Sequence, residues 1–151
     1  MNEIKNPKFF TAGRAVFTVA NNKGEHYTFR ISRKDETKPL FVGLLTGPNN
    51  EADYTYMGIL STKENPFFSR NATFVPIKDD TSLALTQKSP YNVETAPIKV
   101  IRWAIATVIA GKPLPEGYSI KHEGKCCRCG RTLTTPESIE AGIGPECIKH
   151  W

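Results

Sequence analysis

Cysteine is scarce in this chain of 151 residues, and its four copies all lie between Cys126 and Cys147. Secreted domains that depend on disulfides usually spread their cysteines along the chain, so this confinement argues against a disulfide framework. Apolar runs are short as well, and none approaches the roughly 20 residues that span a membrane. The first residues lack the charged-then-apolar pattern of a secretory signal. We therefore expect a cytoplasmic protein without a membrane partner.

Charge of one sign is in only modest excess. The formal net charge is +5 and the pI is about 9.1. Residues 1–119 carry 15 Lys and Arg against 11 Asp and Glu, whereas residues 120–151 carry five against four. This excess permits a polyanionic partner such as nucleic acid but does not require one. Hydrophobic residues make up 39% of the chain, as in ordinary globular domains.

Alternating apolar residues predict an antiparallel sheet in the first part of the chain. Ala15, Phe17 and Val19 alternate with polar neighbours, and the same pattern recurs after the turn-forming residues 21–24. These two segments predict a β-hairpin. Further strands are expected at residues 41–45, 54–57 and 73–75. We expect a four- or five-stranded meander with one face covered.

One strong helix pattern follows the strands. Apolar residues recur at helical spacing over residues 96–110, Pro97 suits the first turn, and Gly111 suits the end. The polar residues 79–94 are predicted to be a connector. We therefore divide the chain into a strand-rich region (1–94), a covering helix with a Pro-rich connector (95–119) and a metal-binding module (120–151). The expected fold class is α+β.

The cysteines of the tail have the spacing of metal ligands. Cys126 and Cys129 are separated by two residues and followed by Gly130, which is typical of a zinc knuckle. Cys147 follows Gly-Pro and is expected in the first turn of a short helix. A knuckle followed by a ligand at a helix start predicts a treble-clef-like module holding one structural Zn²⁺. Another short helix is expected at residues 135–140, before Gly142.

The fourth ligand of this zinc ion has two candidates in the sequence. His150 lies three residues after Cys147, and His122 lies four residues before Cys126. Cys127 is expected to point away if both of its neighbours at 126 and 129 bind the ion. Because four protein ligands are at hand, structural zinc is favoured over catalytic zinc.

Residues 126–147 follow the pattern Cys-x-x-Cys-Gly-Arg-x-Leu-Thr-x-Pro-x-Ser-Ile-x-x-Gly-Ile-Gly-Pro-x-Cys. This pattern resembles an uncharacterised zinc-finger-like domain of bacteriophage and mobile-element proteins. Similar proteins often carry His-Glu-Gly before the knuckle, as residues 122–124 do here, so the resemblance implies His122 as the fourth ligand. It also implies a phage or mobile-element origin, with the bacterial host cytoplasm as the compartment. It implies no particular activity.

The leading functional hypothesis is nucleic-acid binding without catalysis. The sequence contains no catalytic triad spacing, phosphate-binding Gly loop or metalloprotease pair, and no small-molecule substrate is suggested. Basic residues interleave with aromatics on the first hairpin, and two more flank the zinc knuckle. The predicted nucleic-acid contacts are Arg14, Lys23, Arg30, Arg33, Lys34, Arg128 and Arg131. The hairpin aromatics Phe17, Tyr27 and Phe29 are instead expected in the core.

The alternative hypothesis is a protein-level inhibitor of a bacterial host enzyme, such as a nuclease or an anti-phage immune effector. Tyr and Trp dominate the energetics of protein interfaces. Tyr54, Tyr56, Trp103 and Trp151 are therefore the candidate anchors of such a surface.

Overall fold

The computed structural model describes residues 2–151, and its centre is one antiparallel sheet of seven strands in the order β5-β6-β4-β3-β2-β1-β7. The strands are β1 (Arg14–Ala20), β2 (His26–Ser32), β3 (Leu40–Leu45), β4 (Tyr54–Ser61), β5 (Thr73–Lys78), β6 (Thr81–Leu85) and β7 (Ser119–His122). The expected α+β class with an antiparallel sheet is confirmed. The expected number of strands was too low.

The hairpin of β1 and β2 forms as its alternation predicts. Phe17 lies opposite Phe29, and both rings are buried on the same face of the sheet. Their ring centroids are 5.6 Å apart. Since alternate residues of a strand point to opposite faces, Arg14 and Arg30 lie on the other face. The expectation that Phe17 and Phe29 belong to the core is therefore confirmed, and Tyr27 packs half-buried against it.

Two strands were missed by the sequence patterns. β6 lies inside residues 79–94, which were predicted to be a connector, and it pairs with both β4 and β5. A two-residue turn at Asp79 and Asp80 joins β5 to β6, and its acidic residues made the segment look irregular. β7 is only four residues long, too short to show an alternation. It pairs with β1, while residues 2–4 hydrogen-bond to its other side.

Helix α1 (Ala96–Ala110) covers one face of the sheet, as predicted. Its buried stripe includes Ile98, Ile101 and Ile105, and Gly111 ends the helix in the left-handed conformation. A 3-10 helix, Pro7–Thr11, completes this layer with the buried rings of Phe9 and Phe10. No helix among residues 2–151 covers the opposite face, which carries Arg14 and Arg30 and which we call the open face. Among residues 2–151, no helix has the length and apolar character needed to cross a membrane.

A β-bulge shapes the middle of the sheet. Val42 pairs with Gly58 and Gly43 pairs with Tyr56, so β4 contains one extra residue, Met57. A Cβ atom on Gly58 would lie 2.5 Å from the carbonyl oxygen of Ala84 in β6. The close approach of β4 and β6 therefore requires glycine at this position.

Gly58→Ala should destabilise the protein by about 1–3 kcal/mol, because the new methyl group overlaps backbone that cannot rotate away. Urea unfolding of the purified protein measures the effect. Gly144→Ala is the matched control, since its Cβ would meet no atom closer than 4.0 Å. Equal free energies of unfolding for the two variants would show that β4 and β6 are not packed as described.

Candidate metal centre

A short hairpin carries the first two cysteines of the tail. Residues 125 and 132 form a β-bridge, and the N–H of Cys126 donates to the carbonyl of Arg131 at 2.8 Å. The N–H of Gly130 then donates back to the carbonyl of Cys126 at 2.9 Å, which closes a tight turn. Gly130 has a φ of +80°, a conformation that side chains rarely adopt. This turn aims the sulfurs of Cys126 and Cys129 to one side.

The third cysteine reaches the knuckle through two further turns. Helix α2 (Pro136–Ala141) is capped by the Thr135 hydroxyl and ends at Gly142, as predicted. A 3-10 helix, Cys147–His150, follows. Between the two helices, the N–H of Gly144 points at the Cys126 sulfur, with a distance of 3.3 Å between the atoms. This contact fixes the segment that carries Cys147 against the knuckle.

The three predicted cysteine ligands converge in the structure. The sulfur atoms of Cys126, Cys129 and Cys147 all lie within 4.8 Å of one another. Two sulfurs bound to one zinc ion lie at most about 4.6 Å apart, because each zinc–sulfur bond is about 2.3 Å long. The observed limit of 4.8 Å is close to this value. Cys126 is buried, Cys147 is half-buried and Cys129 is exposed. These cysteines are therefore positioned to hold a metal ion at the edge of the fold.

The backbone around Cys126 is arranged for a negatively charged sulfur. Burial alone would raise the pKa of the Cys126 thiol, but the N–H groups of Cys129, Gly144 and Arg128 overcome this effect and lower it to about 7. The N–H groups of Arg128 and Cys129 lie 3.4 and 3.5 Å from the sulfur. Burial and the neighbouring cysteines raise the pKa of the Cys147 thiol. A bound cation would relieve the repulsion between these thiolates, so the donor set suits a metal.

Cys127 lies beside the cluster, but its side chain is part of the hydrophobic core. Its side chain is buried, and burial together with the nearby Cys126 raises the pKa of its thiol strongly. Its backbone links three segments, because its N–H donates to Gly142 and its carbonyl accepts from Arg14 at 2.6 Å. The prediction that Cys127 is not one of the three ligands agrees with this placement.

The structure does not bring His122 into the ligand group. As the last residue of β7 it lies opposite Phe17, and its ring is buried 5.7 Å from that of Phe9. Its Nδ1 accepts the N–H of Gly124 at 3.0 Å, and its Nε2 lies 2.7 Å from the carbonyl of Ile139. This pair of bonds requires a neutral ring with the proton on Nε2. Burial also lowers the pKa of His122.

The second candidate ligand, His150, also lies outside the group of converging sulfurs. It is the exposed last residue of the 3-10 helix that begins at Cys147. Its side chain borders a groove of about 760 Å³ together with Trp151 and Arg128. His150 thus lies about one helical turn after Cys147. Among residues 2–151, no backbone group forms a hydrogen bond to its ring.

Basic side chains converge next to the metal site. β1 begins and β2 ends at the same end of their hairpin, which brings together Arg14, Arg33 and Lys34. The backbone bond from Arg14 to Cys127 adds Arg128 of the knuckle to this group. These four residues, with Gly13 and Cys129, line a cleft of about 290 Å³, which we call the basic cleft.

The acidic residues of the basic cleft neutralise it only in part. The hydroxyl and N–H of Thr37 bond to the Asp35 carboxylate and lower its pKa, so this charge faces its own turn. Glu36 lies 4.0 Å from Arg128, but its side chain is 81% exposed, and such pairs contribute little. In the part of the chain from residue 2 onward, Arg14, Arg33 and Lys34 form no ion pair. The cleft therefore keeps a positive field.

The other predicted nucleic-acid residues lie elsewhere. Lys23 lies in the turn between β1 and β2, at the far end of the hairpin from Arg14 and roughly 20 Å away along the strand. Arg30 lies on the open face of the sheet, with its guanidinium 4.1 Å from the ring centre of Tyr54. Arg131 is exposed on the knuckle and does not line the cleft.

The open face carries an aromatic cavity that no sequence pattern had indicated. Phe41 and Tyr56 line a cavity of about 390 Å³, and Phe41 is 44% exposed. The short apolar run at residues 41–45 was consistent with a buried strand, and it did not reveal the exposure of Phe41. Phe41 pairs with Ser32, and Ser32 pairs with Arg14, so all three residues lie on the face that points away from the core. Cross-strand register, which the sequence does not display, was the missing signal.

Cys129→Ser should remove the metal, because two thiolates and one hydroxyl hold zinc poorly, and the tail should lose its fixed structure. Elemental analysis of the wild-type protein should give about one metal ion per chain, and the variant should approach none. Cys127→Ala is the matched control and should keep the metal. A folded wild-type protein without any metal would contradict the assignment.

His122→Ala should keep the metal but lower the free energy of unfolding by at least about 1–3 kcal/mol, since it leaves Gly124 and Ile139 unpaired and opens space beside Phe9. Metal content and thermal unfolding are measured on the same sample. His150→Ala, made in parallel, tests the exposed candidate. If the His122→Ala protein folds but loses the metal, His122 is a ligand, and its ring must leave its bonds to Gly124 and Ile139 when the metal binds.

Residues 119–151 match the sequence model of a family described as a family of unknown function (DUF6011). The matched segment begins at β7 and contains the knuckle, α2 and all three clustered cysteines. The search of curated proteins gave no match, and the search of solved structures gave none either.

Proposed function

We propose that this protein is a non-catalytic nucleic-acid-binding protein whose phosphate contacts lie in the basic cleft beside a structural zinc ion. The observation that carries the proposal is the convergence of Arg14, Arg33, Lys34 and Arg128 from three separate segments. Guanidinium groups in a concave site bind phosphate oxygens strongly, often in bidentate fashion, and among residues 2–151 Arg14 and Arg33 form no ion pair that would compete. Neutralised phosphates release counterions, so the affinity depends on salt.

Zinc is the metal that best suits the cysteine cluster. Three thiolates on a tight knuckle are a soft donor set, and tetrahedral sulfur sites favour zinc. Cys126, Cys129 and Cys147 would hold the ion, and His150, three residues after Cys147 in the same 3-10 helix, is an additional candidate. The chemistry that zinc supplies here is structural, because the ion would tie the knuckle to the chain end and contribute directly to folding.

The zinc site and the basic cleft form one functional unit in this proposal. Cys129 belongs to the cluster and lines the cleft, and Arg128 precedes it directly. Three thiolates around a divalent ion leave a charge of about −1. The four basic residues outweigh this charge together with Asp35 and Glu36, so an anion is still attracted. We propose that the metal holds Arg128 in place opposite Arg33.

The setting that we propose is a phage or mobile-element accessory protein acting in the bacterial cytoplasm. The knuckle motif carries this part of the proposal through its resemblance to phage proteins, and the family of unknown function supplies no activity of its own.

Arg33→Gln combined with Arg128→Gln should weaken binding to any nucleic acid about tenfold or more at low salt, because two phosphate contacts are lost. The slope of log Kd against log salt should fall by roughly 0.7 for each lost contact on a single strand. Fluorescence anisotropy with labelled oligonucleotides measures both quantities. Lys23→Gln combined with Arg131→Gln is the matched control: it also removes two cations, one from the hairpin and one from the knuckle, but leaves the cleft intact.

Absence of salt-sensitive binding to any nucleic acid would overturn the proposal. A pull-down from bacterial lysate treated with nuclease tests the inhibitor hypothesis directly. A stoichiometric protein partner that survives the nuclease, together with no oligonucleotide binding, would assign the protein to that second class.

A further inference from the structure

The open face of the sheet presents one continuous row of side chains that starts at the basic cleft. Arg14 pairs with Ser32, and Ser32 pairs with Phe41. Beyond Phe41 the accessible part of the row ends, because the next residue, Ile59, is buried. Residues paired in this way share a face, and neighbouring strands are about 4.8 Å apart. Phe41 therefore lies roughly 10 Å across the sheet from a cation of the cleft.

Phe41 and Tyr56 form an accessible aromatic pair on this row. Their ring centroids are 6.1 Å apart and their planes are inclined at 59°. The Tyr56 hydroxyl lies 2.8 Å from that of Thr86, which holds the tyrosine ring in place. Phe41 has no such restraint and is 44% exposed. The pair borders the cavity of about 390 Å³, a size typical of sites for small rings.

The polar residues around this cavity suit an anionic, base-bearing chain. Lys88, Asn71 and Gln87 border it, and none of its lining residues is acidic. Lys88 offers a positive charge and the two amides offer hydrogen bonds to base edges. Along the next row of the same face, Arg30 lies over the Tyr54 ring at 4.1 Å. The face thus combines cations, amides and an exposed aromatic ring.

We propose that the open face binds single-stranded nucleic acid, with a base stacked on Phe41 and the backbone running from this cavity to the basic cleft. This inference rests on the proposed function and narrows it to single strands. A stacked base needs a free π-face, which the bases inside a duplex do not offer. Stacking on aromatic rings accepts every base, so the site distinguishes single strands from duplexes rather than one sequence from another.

A protein partner is the competing occupant of this face. An apolar aromatic pair also suits a protein side chain. The favoured occupant is nucleic acid because the row passes no acidic residue between Phe41 and Arg14 and leads into a cleft where four basic residues outnumber the two acidic ones, Asp35 and Glu36. The cations along the row favour a polyanion, and the exposed Phe41 ring favours one that carries flat bases.

The test uses the full-length, metal-loaded protein with three labelled probes of about 12 nucleotides: a single strand, the matching duplex, and a single strand of abasic sites. Wild-type protein should bind the base-bearing single strand most tightly. Phe41→Ala should weaken that binding on the order of tenfold to a hundredfold and leave binding to the abasic strand unchanged. Phe41→Trp should retain the affinity, because the stacking surface is kept.

Phe68→Ala is the matched control, since this ring is 85% exposed and lies outside the cavity. It should bind all three probes as the wild type does. Thermal unfolding confirms that each variant is folded, and a surface position such as Phe41 should tolerate the change. A parallel titration of Arg33→Gln with the same probes should show weaker binding to the base-bearing and the abasic strand alike.

The outcomes separate this inference from the proposed function. Salt-sensitive binding that is equal for single strand, duplex and abasic strand, and unaffected by Phe41→Ala, would overturn the stacking site while leaving the basic cleft intact. No binding to any probe would overturn both. A nuclease-resistant protein partner that is lost in Phe41→Ala, with oligonucleotide affinity unchanged, would assign the face to a protein and also overturn the inference.

Discussion

A single backbone hydrogen bond, from the N–H of Arg14 to the carbonyl of Cys127 at 2.6 Å, joins the cysteine knuckle to the sheet. It is possible because β7 pairs with β1 only from Phe17 onward, which leaves the edge of Arg14 unpaired. The N–H of Cys127 continues the link by donating to Gly142 at the end of α2. The metal site, the short helix and the sheet therefore share one fixed register, although the knuckle residues are distant from β1 in sequence.

This register explains why the basic side chains and the clustered cysteines lie together. An antiparallel hairpin necessarily brings the start of β1 next to the end of β2, so Arg14 and Arg33 become neighbours. Docking of the knuckle then adds Arg128 from a segment that would have no fixed position on the sheet by itself. A metal ion that orders the knuckle would order the cleft as well. The two features that the sequence displays separately, a basic hairpin and a cysteine cluster, are thus physically coupled.

Local patterns predicted the parts of the fold that local chemistry determines. The alternation of β1 and β2, the apolar stripe of α1 and the Thr135 cap of α2 all formed as expected. β6 and β7 were missed because their short segments are stabilised by pairing with distant strands rather than by their own pattern. The cysteine group was predicted from spacing alone. The placement of His122 was not, because β7 pairing and two backbone hydrogen bonds decide where its ring nitrogens point.

The aromatic residues show most clearly what register adds to sequence. Phe17, Phe29 and Phe41 all lie in strands, yet only Phe41 faces outward, because each strand's position relative to its neighbour decides which face a residue occupies. The sequence interleaves aromatics with basic residues on the first hairpin, and these aromatics lie on the buried face, as expected. On the open face, the basic residues of β1 and β2 instead meet the aromatics of β3 and β4. Any stacking surface therefore spans several strands, and its composition follows from the order and register of the sheet.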